Sequence, residues 1–141
     1  MVNHMEKNAN RPKVLVFGTF DGIHKGHIYF LKEAAKLGNL YVSIATDLAT
    51  KKLKSHFPKY SEKEREAAVE KLGIANQVLI GDDEIESWKT LKALTPNIVA
   101  LGYDQKRLKE VLKPLSKEFG FNIKVLKGFE PKKYHSKFLT T

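Results

Sequence analysis

Residues 17–27 of the chain, FGTFDGIHKGH, bring two histidines together with a hydroxyl group, a carboxylate and three glycines. Gly18 follows a short apolar run and permits a sharp turn, and a helix is predicted to begin near His24 or Lys25. His24 and His27 are three residues apart, so they share one face of the first helical turn. Because a helix N-terminus presents free N–H groups, this arrangement predicts a phosphate-binding site with imidazole donors.

Two other interpretations of the same histidines are open. A metal ion could bind them, with Asp21 as the candidate third ligand nearby, although Asp21 is expected to hold the loop rather than contact a ligand. The histidines could also simply cap a helix or pack on a surface. The stretch has neither the spacing of a Walker phosphate loop nor that of a GxGxxG dinucleotide turn. Phosphate binding is the favoured interpretation.

The hydrophobic pattern of the chain alternates between strands and helices. Short apolar runs predict five strands, at 13–17, 40–46, 77–80, 97–101 and 122–126. Helical periodicity predicts four helices, at 25–37, 61–72, 82–94 and following 105, with a basic loop over 47–60. This alternation predicts a single-domain α/β fold, a Rossmann-like parallel five-stranded sheet with helices on both faces. Residues 1–12 are expected to form a flexible N-terminal arm and 13–141 the domain.

Composition limits the kind of protein and its partners. The chain has 141 residues, a formal net charge of +9 and no cysteine. Disulfides and thiolate metal sites are excluded, and no apolar run approaches the roughly 18 residues of a membrane span, so a cytoplasmic location is expected. The positive charge suggests nucleic acid or a phosphorylated small molecule as partner. Nucleic acid is the less favoured, because the aromatic residues lie mostly at positions typical of a core.

Ligands of such sheets bind beyond the carboxyl ends of the strands. The candidate site is therefore formed by the loops at 18–26, 46–60, 81–83, 102–105 and 127–137. Lys51 and Lys52, with Lys54 close by, lie in the second of these loops, and one of them could neutralise phosphate charge. A solvated loop explains them equally well.

HKGH at 24–27, preceded by GTFD at 18–21, resembles the signature of the nucleotidyltransferase superfamily with the HxGH motif, which is cytidylyltransferase-like. The resemblance implies that both histidines hold a nucleoside triphosphate and stabilise charge while its α-phosphorus is attacked and pyrophosphate leaves. It implies Mg²⁺ or another divalent cation as a cofactor. It makes His24 and His27 the catalytic residues, and it adds nucleotide contacts at Thr19, Phe20, Lys25 and Gly26.

Within this superfamily, VALGYDQ at 99–105 and KGFEPKKYHSK at 127–137 resemble segments of the archaeal type of FAD synthase. That group transfers AMP from ATP to FMN, so ATP and FMN are the expected small-molecule partners. The resemblance also allows a homodimer. It implies nucleotide contacts at Asp104 and Phe129, and phosphate contacts at Lys51, Lys52, Arg65 and Ser136.

Two alternatives remain. The first is CTP-dependent transfer to glycerol 3-phosphate or a related sugar or polyol phosphate. The chain keeps only LTT, at 139–141, of the Arg-Thr-x-Gly-Ile-Ser-Thr-Thr motif that cytidylyltransferases carry, which disfavours this reading. The second is a non-catalytic binder of nucleotides or RNA. For an enzyme, direct in-line attack is expected, because no Ser, Cys or Lys is paired with a base as a nucleophile.

Overall fold

The computed structural model describes residues 10–128, apart from the side chain of Ile85. Phe129 and Ser136, two of the predicted contact residues, lie outside the described residues. The sheet has five strands: β1 (Lys13–Gly18), β2 (Asn39–Ile44), β3 (Gln77–Ile80), β4 (Ile98–Gly102) and β5 (Asn122–Leu126). Their order is β3-β2-β1-β4-β5, and all neighbours are parallel. The predicted α/β fold is confirmed.

The helices that connect the strands are α1 (Lys25–Ala35), α2 (Asp47–Lys54), α3 (Glu62–Lys71), α4 (Lys89–Leu94) and α5 (Lys106–Phe119). The prediction of a loop over 47–60 was wrong for its first half. Thr46 caps α2, because its hydroxyl oxygen accepts a hydrogen bond from the Ala49 N–H at 3.0 Å. The predicted helix over 82–94 was too long, since Trp88 has a left-handed backbone (φ 53°) and only α4 follows it.

The core forms one layer on each face of the sheet, because side chains alternate along the buried strands. On one face, Val14 and Val16 of β1 pack with Leu31 of α1 and Val69 of α3. On the other face, Leu15 packs with side chains of α4 and α5, among them Leu91 and Leu112. Helices therefore cover both faces, as predicted.

The strand order places a topological switch point at β1, which pairs with β2 on one side and β4 on the other. Crevices at such points are where ligands bind in open α/β sheets. Gln105 joins the two carboxyl ends there. Its Nε2 donates to the Phe17 carbonyl at 3.0 Å, and its Oε1 accepts from the Gly102 N–H at 2.9 Å. Gln105 thus fixes the width of the crevice.

The two residues before β1 are hydrogen-bonded to the region around the end of α1 and the start of β2. Arg11 donates to the Ala35 carbonyl at 3.1 Å, and the Pro12 carbonyl accepts from the Asn39 N–H at 2.8 Å. The extent of the N-terminal arm and of the domain stays a prediction. In the described part of the chain, no helix has the length and apolar character needed to cross a membrane.

Candidate active site

The loop between β1 and α1 is held in place by its own side chains. Phe20 adopts a left-handed backbone (φ 53°), and its buried ring lies over Gly18. A Cβ at Gly18 would lie 2.4 Å from that ring, so no larger residue fits there. Because the Phe20 side chain is enclosed, a nucleotide contact at this position would use the backbone.

Asp21 fastens the loop to the segment that precedes α3. Its carboxylate accepts from the N–H groups of Lys59 at 2.8 Å and Tyr60 at 2.9 Å. Burial by itself would raise the pKa of Asp21, but these hydrogen bonds and the charges of Arg65 and Lys54 together lower it. Asp21 therefore stays ionised and holds the loop, as expected.

The first turn of α1 is capped by both histidines. The N–H of Gly26 donates to Nδ1 of His24 at 3.1 Å, and the N–H of His24 donates to Nδ1 of His27 at 3.2 Å. This reciprocal pattern has the geometry of a capping box, with imidazoles in place of the usual hydroxyl and carboxylate. Because each Nδ1 accepts, these hydrogen bonds assign the ring proton to Nε2 in both residues.

Capping of α1 uses only the Nδ1 atom of each histidine ring, so the Nε2 atoms take no part in it. The two rings stack with 3.8 Å between centroids, and Phe20 meets His27 edge-on at 5.3 Å. His24 Nε2 is buried, yet it has no hydrogen-bond partner among the described residues. A buried donor without an acceptor is costly, so this atom is a candidate donor to a phosphate oxygen. Gly26 gives the ring its room, since a Cβ there would lie 3.0 Å from His24 Cε1.

His27 is neutral at physiological pH. Burial and the neighbouring charges of His24 and Lys54, partly opposed by Asp104, lower the pKa of His27 to about 4. Lys54, the last residue of α2, and Asp104, which follows β4, thus act on the pKa of His27 in opposite directions.

The three lysines of α2 have different surroundings. Lys51 donates to the Ser55 carbonyl at 3.0 Å, and Lys52 pairs with Glu84. Lys54 makes neither a hydrogen bond nor an ion pair within residues 10–128, although its charge acts on both His27 and Asp21. Of the three, Lys54 is therefore best placed to meet a phosphate, while the contacts predicted for Lys51 and Lys52 would break existing ones.

Arg65 has a structural position. The residue is only 1% exposed, and its guanidinium donates at 2.7–2.9 Å to the carbonyls of Tyr60, Thr19 and Ala45 and to the Asp47 carboxylate. It thereby joins the histidine loop, the end of β2 and the start of α2. This geometry does not support the direct phosphate contact predicted for Arg65, and Thr19 takes part through its carbonyl.

The end of β4 supplies the opposite wall of the crevice. Asp104 is exposed and lies close to Gly102, where a Cβ would be 2.9 Å from its Oδ1. Lys25 is the exposed first residue of α1. Gln105, the residue that joins β1 to β4, was not among the predicted site residues. The GYDQ segment contained it, and the signal was an amide, able both to donate and to accept, directly after a predicted strand end.

The alternative that the histidines bind a metal ion is not supported by the described residues. Among the described residues, no three His, Asp or Glu side chains lie close enough together to hold a metal ion. Asp21 faces backbone N–H groups, and both histidine Nδ1 atoms accept from the backbone. The histidines are therefore arranged as hydrogen-bond donors.

Comparisons with known proteins agree with this geometry. A sequence profile described as cytidylyltransferase-like matches residues 15–137. The FAD synthase of Methanohalophilus mahii is 38% identical over 122 residues, covering 84% of this chain and 82% of the relative. The FAD synthase of Ferroglobus placidus is 38% identical over 117 residues, covering 82% of this chain and 74% of the relative.

Solved structures share the fold. A protein from Thermoplasma volcanium, described as a lipopolysaccharide core biosynthesis protein, superimposes with a TM-score of 0.72 and 32% identity. The match covers 84% of this chain and 97% of that one. A pantoate-beta-alanine ligase from Francisella tularensis superimposes with a TM-score of 0.59 and 16% identity, so the likeness is one of fold alone. The match covers 95% of this chain and 67% of the ligase chain. The resemblance found in the sequence is confirmed: the chain belongs to the cytidylyltransferase-like family.

Proposed function

We propose that the protein transfers AMP from ATP to the phosphate of FMN, giving FAD and pyrophosphate. The observation that carries the reaction class is the buried Nε2 of His24, beside His27 at the N-terminus of α1, for which residues 10–128 offer no hydrogen-bond partner. The similarity to archaeal FAD synthases over most of the chain supports the choice of ATP and FMN.

The triphosphate binds at the switch point, between the ends of β1 and β4. His24 and His27 donate from Nε2 to phosphate oxygens, and the positive end of the α1 dipole adds to the attraction. Asp104, at the end of β4, contacts the ribose or base. Lys54 reaches the phosphates from the other side of His27. The charge of Lys54 near His27 supports its role, and the family resemblance supports that of Asp104.

The chemical step needs no protein nucleophile. An oxygen of the FMN phosphate attacks the α-phosphorus of ATP, and the bond from that phosphorus to the bridging oxygen breaks. Pyrophosphate leaves with the electron pair. Because the acceptor phosphate is already anionic, a strong general base is unnecessary. Catalysis consists of alignment and of hydrogen bonds that stabilise the charge developing on the α-phosphate oxygens.

A divalent cation belongs to the substrate in this proposal. The described residues do not form a protein-held metal site, and Mg²⁺ usually binds to substrate phosphates with few protein ligands. No step is therefore assigned to a metal held by the protein. A cytoplasmic location and a homodimer stay predictions.

The test is product formation resolved by chromatography. The full chain with Mg²⁺ is offered ATP or CTP, each with FMN or glycerol 3-phosphate. FAD and pyrophosphate from ATP with FMN alone are expected. Formation of CDP-glycerol would support the phosphate site but identify CTP and glycerol 3-phosphate as the substrates. If no pair releases pyrophosphate, the protein is not a transferase for these substrates.

A further inference from the structure

Outside the histidine crevice, the structure contains a cavity of about 390 Å³ between the histidine loop and α3. Small-molecule sites typically occupy roughly 300–1,000 Å³. The cavity is lined by Phe20, Gly22, Ile23, Tyr60, Glu64, Arg65 and Ala68. Its walls are mostly apolar, and charged groups come only from the first turns of α3. Nothing in the triphosphate site accounts for it.

Tyr60 stands at the edge of this cavity with much of its ring uncovered. The residue is 41% exposed, although its backbone is fixed by the hydrogen bond to Asp21. The Lys59 ammonium lies 5.7 Å from the ring centroid. A large aromatic ring held on a rigid backbone but left open to solvent is a surface on which a flat ligand can stack.

The cavity adjoins the histidines, because Phe20 borders both. Phe20 lines the cavity and also contacts the His27 ring edge-on at 5.3 Å between centroids. Gly22 forms the rim, and its backbone (φ 94°) disfavours any side chain there. A Cβ at Gly22 would lie 3.8 Å from the Tyr60 ring, so Gly22 and Tyr60 face each other across the rim at van der Waals distance.

We propose that this cavity binds the isoalloxazine ring of the acceptor, with Tyr60 stacked on the ring and Ala68 forming the floor. This inference rests on the proposed function, since FMN is the acceptor there. The ring's dimethylbenzene end suits the apolar walls of Ile23 and Ala68. Its pyrimidine N–H meets Glu64, one of whose oxygens has no hydrogen-bond partner among the described residues. The ribityl chain then carries the phosphate past Phe20 to the histidines.

This position also satisfies the geometry of in-line transfer. The attacking and leaving groups must approach the α-phosphorus from opposite sides. Asp104 follows β4 on one side of β1, where the proposed function puts the nucleotide, whereas Tyr60 precedes α3, which packs against β2 and β3 on the other side. The cavity is thus on the side from which the acceptor phosphate must come, and adenine is expected elsewhere.

The test fills the cavity and compares it with a matched neighbour. Ala68→Phe places a ring in the cavity, whereas Ala67→Phe adds the same group at the exposed adjacent position of α3. Riboflavin, which lacks the phosphate, is titrated into each full-length protein, and quenching of flavin fluorescence reports binding. Ala68→Phe is expected to weaken binding at least about tenfold, and Ala67→Phe to bind as the unchanged protein does.

A second pair of variants tests the stacking by keeping or removing the ring at position 60. Tyr60→Phe keeps a ring and is expected to bind riboflavin normally, whereas Tyr60→Ser should weaken binding about tenfold, as loss of a stacked aromatic does elsewhere. The KM for FMN should rise in the weak variants, and the KM for ATP should not. Thermal unfolding checks that each variant folds.

The outcomes separate this inference from the proposed function. Equal riboflavin binding by Ala68→Phe and Ala67→Phe overturns the cavity assignment even if FAD is formed. Failure of the unchanged protein to bind riboflavin also overturns it. If riboflavin binding depends on Ala68 and Tyr60 but ATP and FMN give no FAD, the flavin-ring site stands and the proposed transfer reaction falls.

Discussion

The imidazole rings of His24 and His27 stack with 3.8 Å between centroids and 20° between planes, and each accepts a backbone hydrogen bond at Nδ1. The same two side chains therefore cap α1 and present their Nε2 atoms as donors. The structural and chemical roles use different atoms of each ring, so substitutions can separate them.

Replacement of His27 by Ala should lower turnover by about 10²–10³, because it removes one donor to the charge that develops on the α-phosphate. Steady-state FAD formation measures the effect, and circular dichroism should show an intact fold. The exposed His56 provides the matched control, and His56→Ala should stay within a few-fold of the unchanged protein. Turnover of His27→Ala close to that of the control would remove His27 from the catalytic machinery.

His24→Asn tests the division of roles at the first residue of the pair. Asn is a good N-cap and can accept from the Gly26 N–H as His24 Nδ1 does, so unfolding in urea should change by less than about 1 kcal/mol. Turnover should still fall by about 10²–10³, because the side chain no longer reaches the position of Nε2. A stable and fully active variant would mean that Nε2 has no ligand.

The protonation of His27 makes stability depend on pH. In the folded protein its pKa is about 4, whereas a histidine in an unfolded chain titrates near 6.5. Between these values the unfolded state binds more protons. The free energy of unfolding should therefore fall as pH is lowered from about 6.5 to about 4, and this group should contribute no slope above that range. NMR titration of the His27 ring locates the midpoint, and a midpoint near 6.5 would contradict the arrangement.

Lys54 should matter more than its neighbours on α2. Lys54→Ala is expected to reduce kcat/KM for ATP at least about tenfold, whereas Lys52→Ala loses only an exposed ion pair with Glu84. Lys54→Ala should also raise the pKa of His27, because the Lys54 charge lowers it. Asp104→Asn should lower that pKa, because the Asp104 charge raises it. Equal kinetic losses in both lysine variants would show that only general charge is involved.

Arg65 should behave as a structural residue. Arg65→Met leaves three carbonyls and the Asp47 carboxylate without their donor, so the free energy of unfolding should fall by about 3 kcal/mol or more. Arg65→Lys should not restore it, because an ammonium cannot reach four acceptors in the same geometry. Urea denaturation measures the loss, with Lys63→Met on the exposed face of α3 as control. A stable Arg65→Met protein with a raised KM for ATP would instead support the phosphate contact.

Helix boundaries show where sequence patterns fail in this chain. The strands were predicted within a residue or two, because buried parallel strands carry continuous apolar runs. α2 was missed because its sequence, DLATKKLK, is mostly polar and its stability depends on the Thr46 cap and on contacts with α3, such as the Asp47 N–H donating to Glu62. The helix before β4 was predicted too long, since periodicity contains no sign of the left-handed backbone at Trp88.

The sequence alone determined the five-stranded α/β framework, the pairing of His24 with His27 on one helical turn, and the family. These depend on local spacing, which a linear pattern contains. Tertiary structure decided which cations are available to the site: Arg65 is enclosed by carbonyls up to 46 positions away, while the charge of Lys54 acts on His27. It also decided that the described part of the chain leaves His24 Nε2 without a partner and that a cavity opens beside Tyr60. Burial and the direction of a hydrogen bond arise only when distant segments pack together, so no local pattern specifies them.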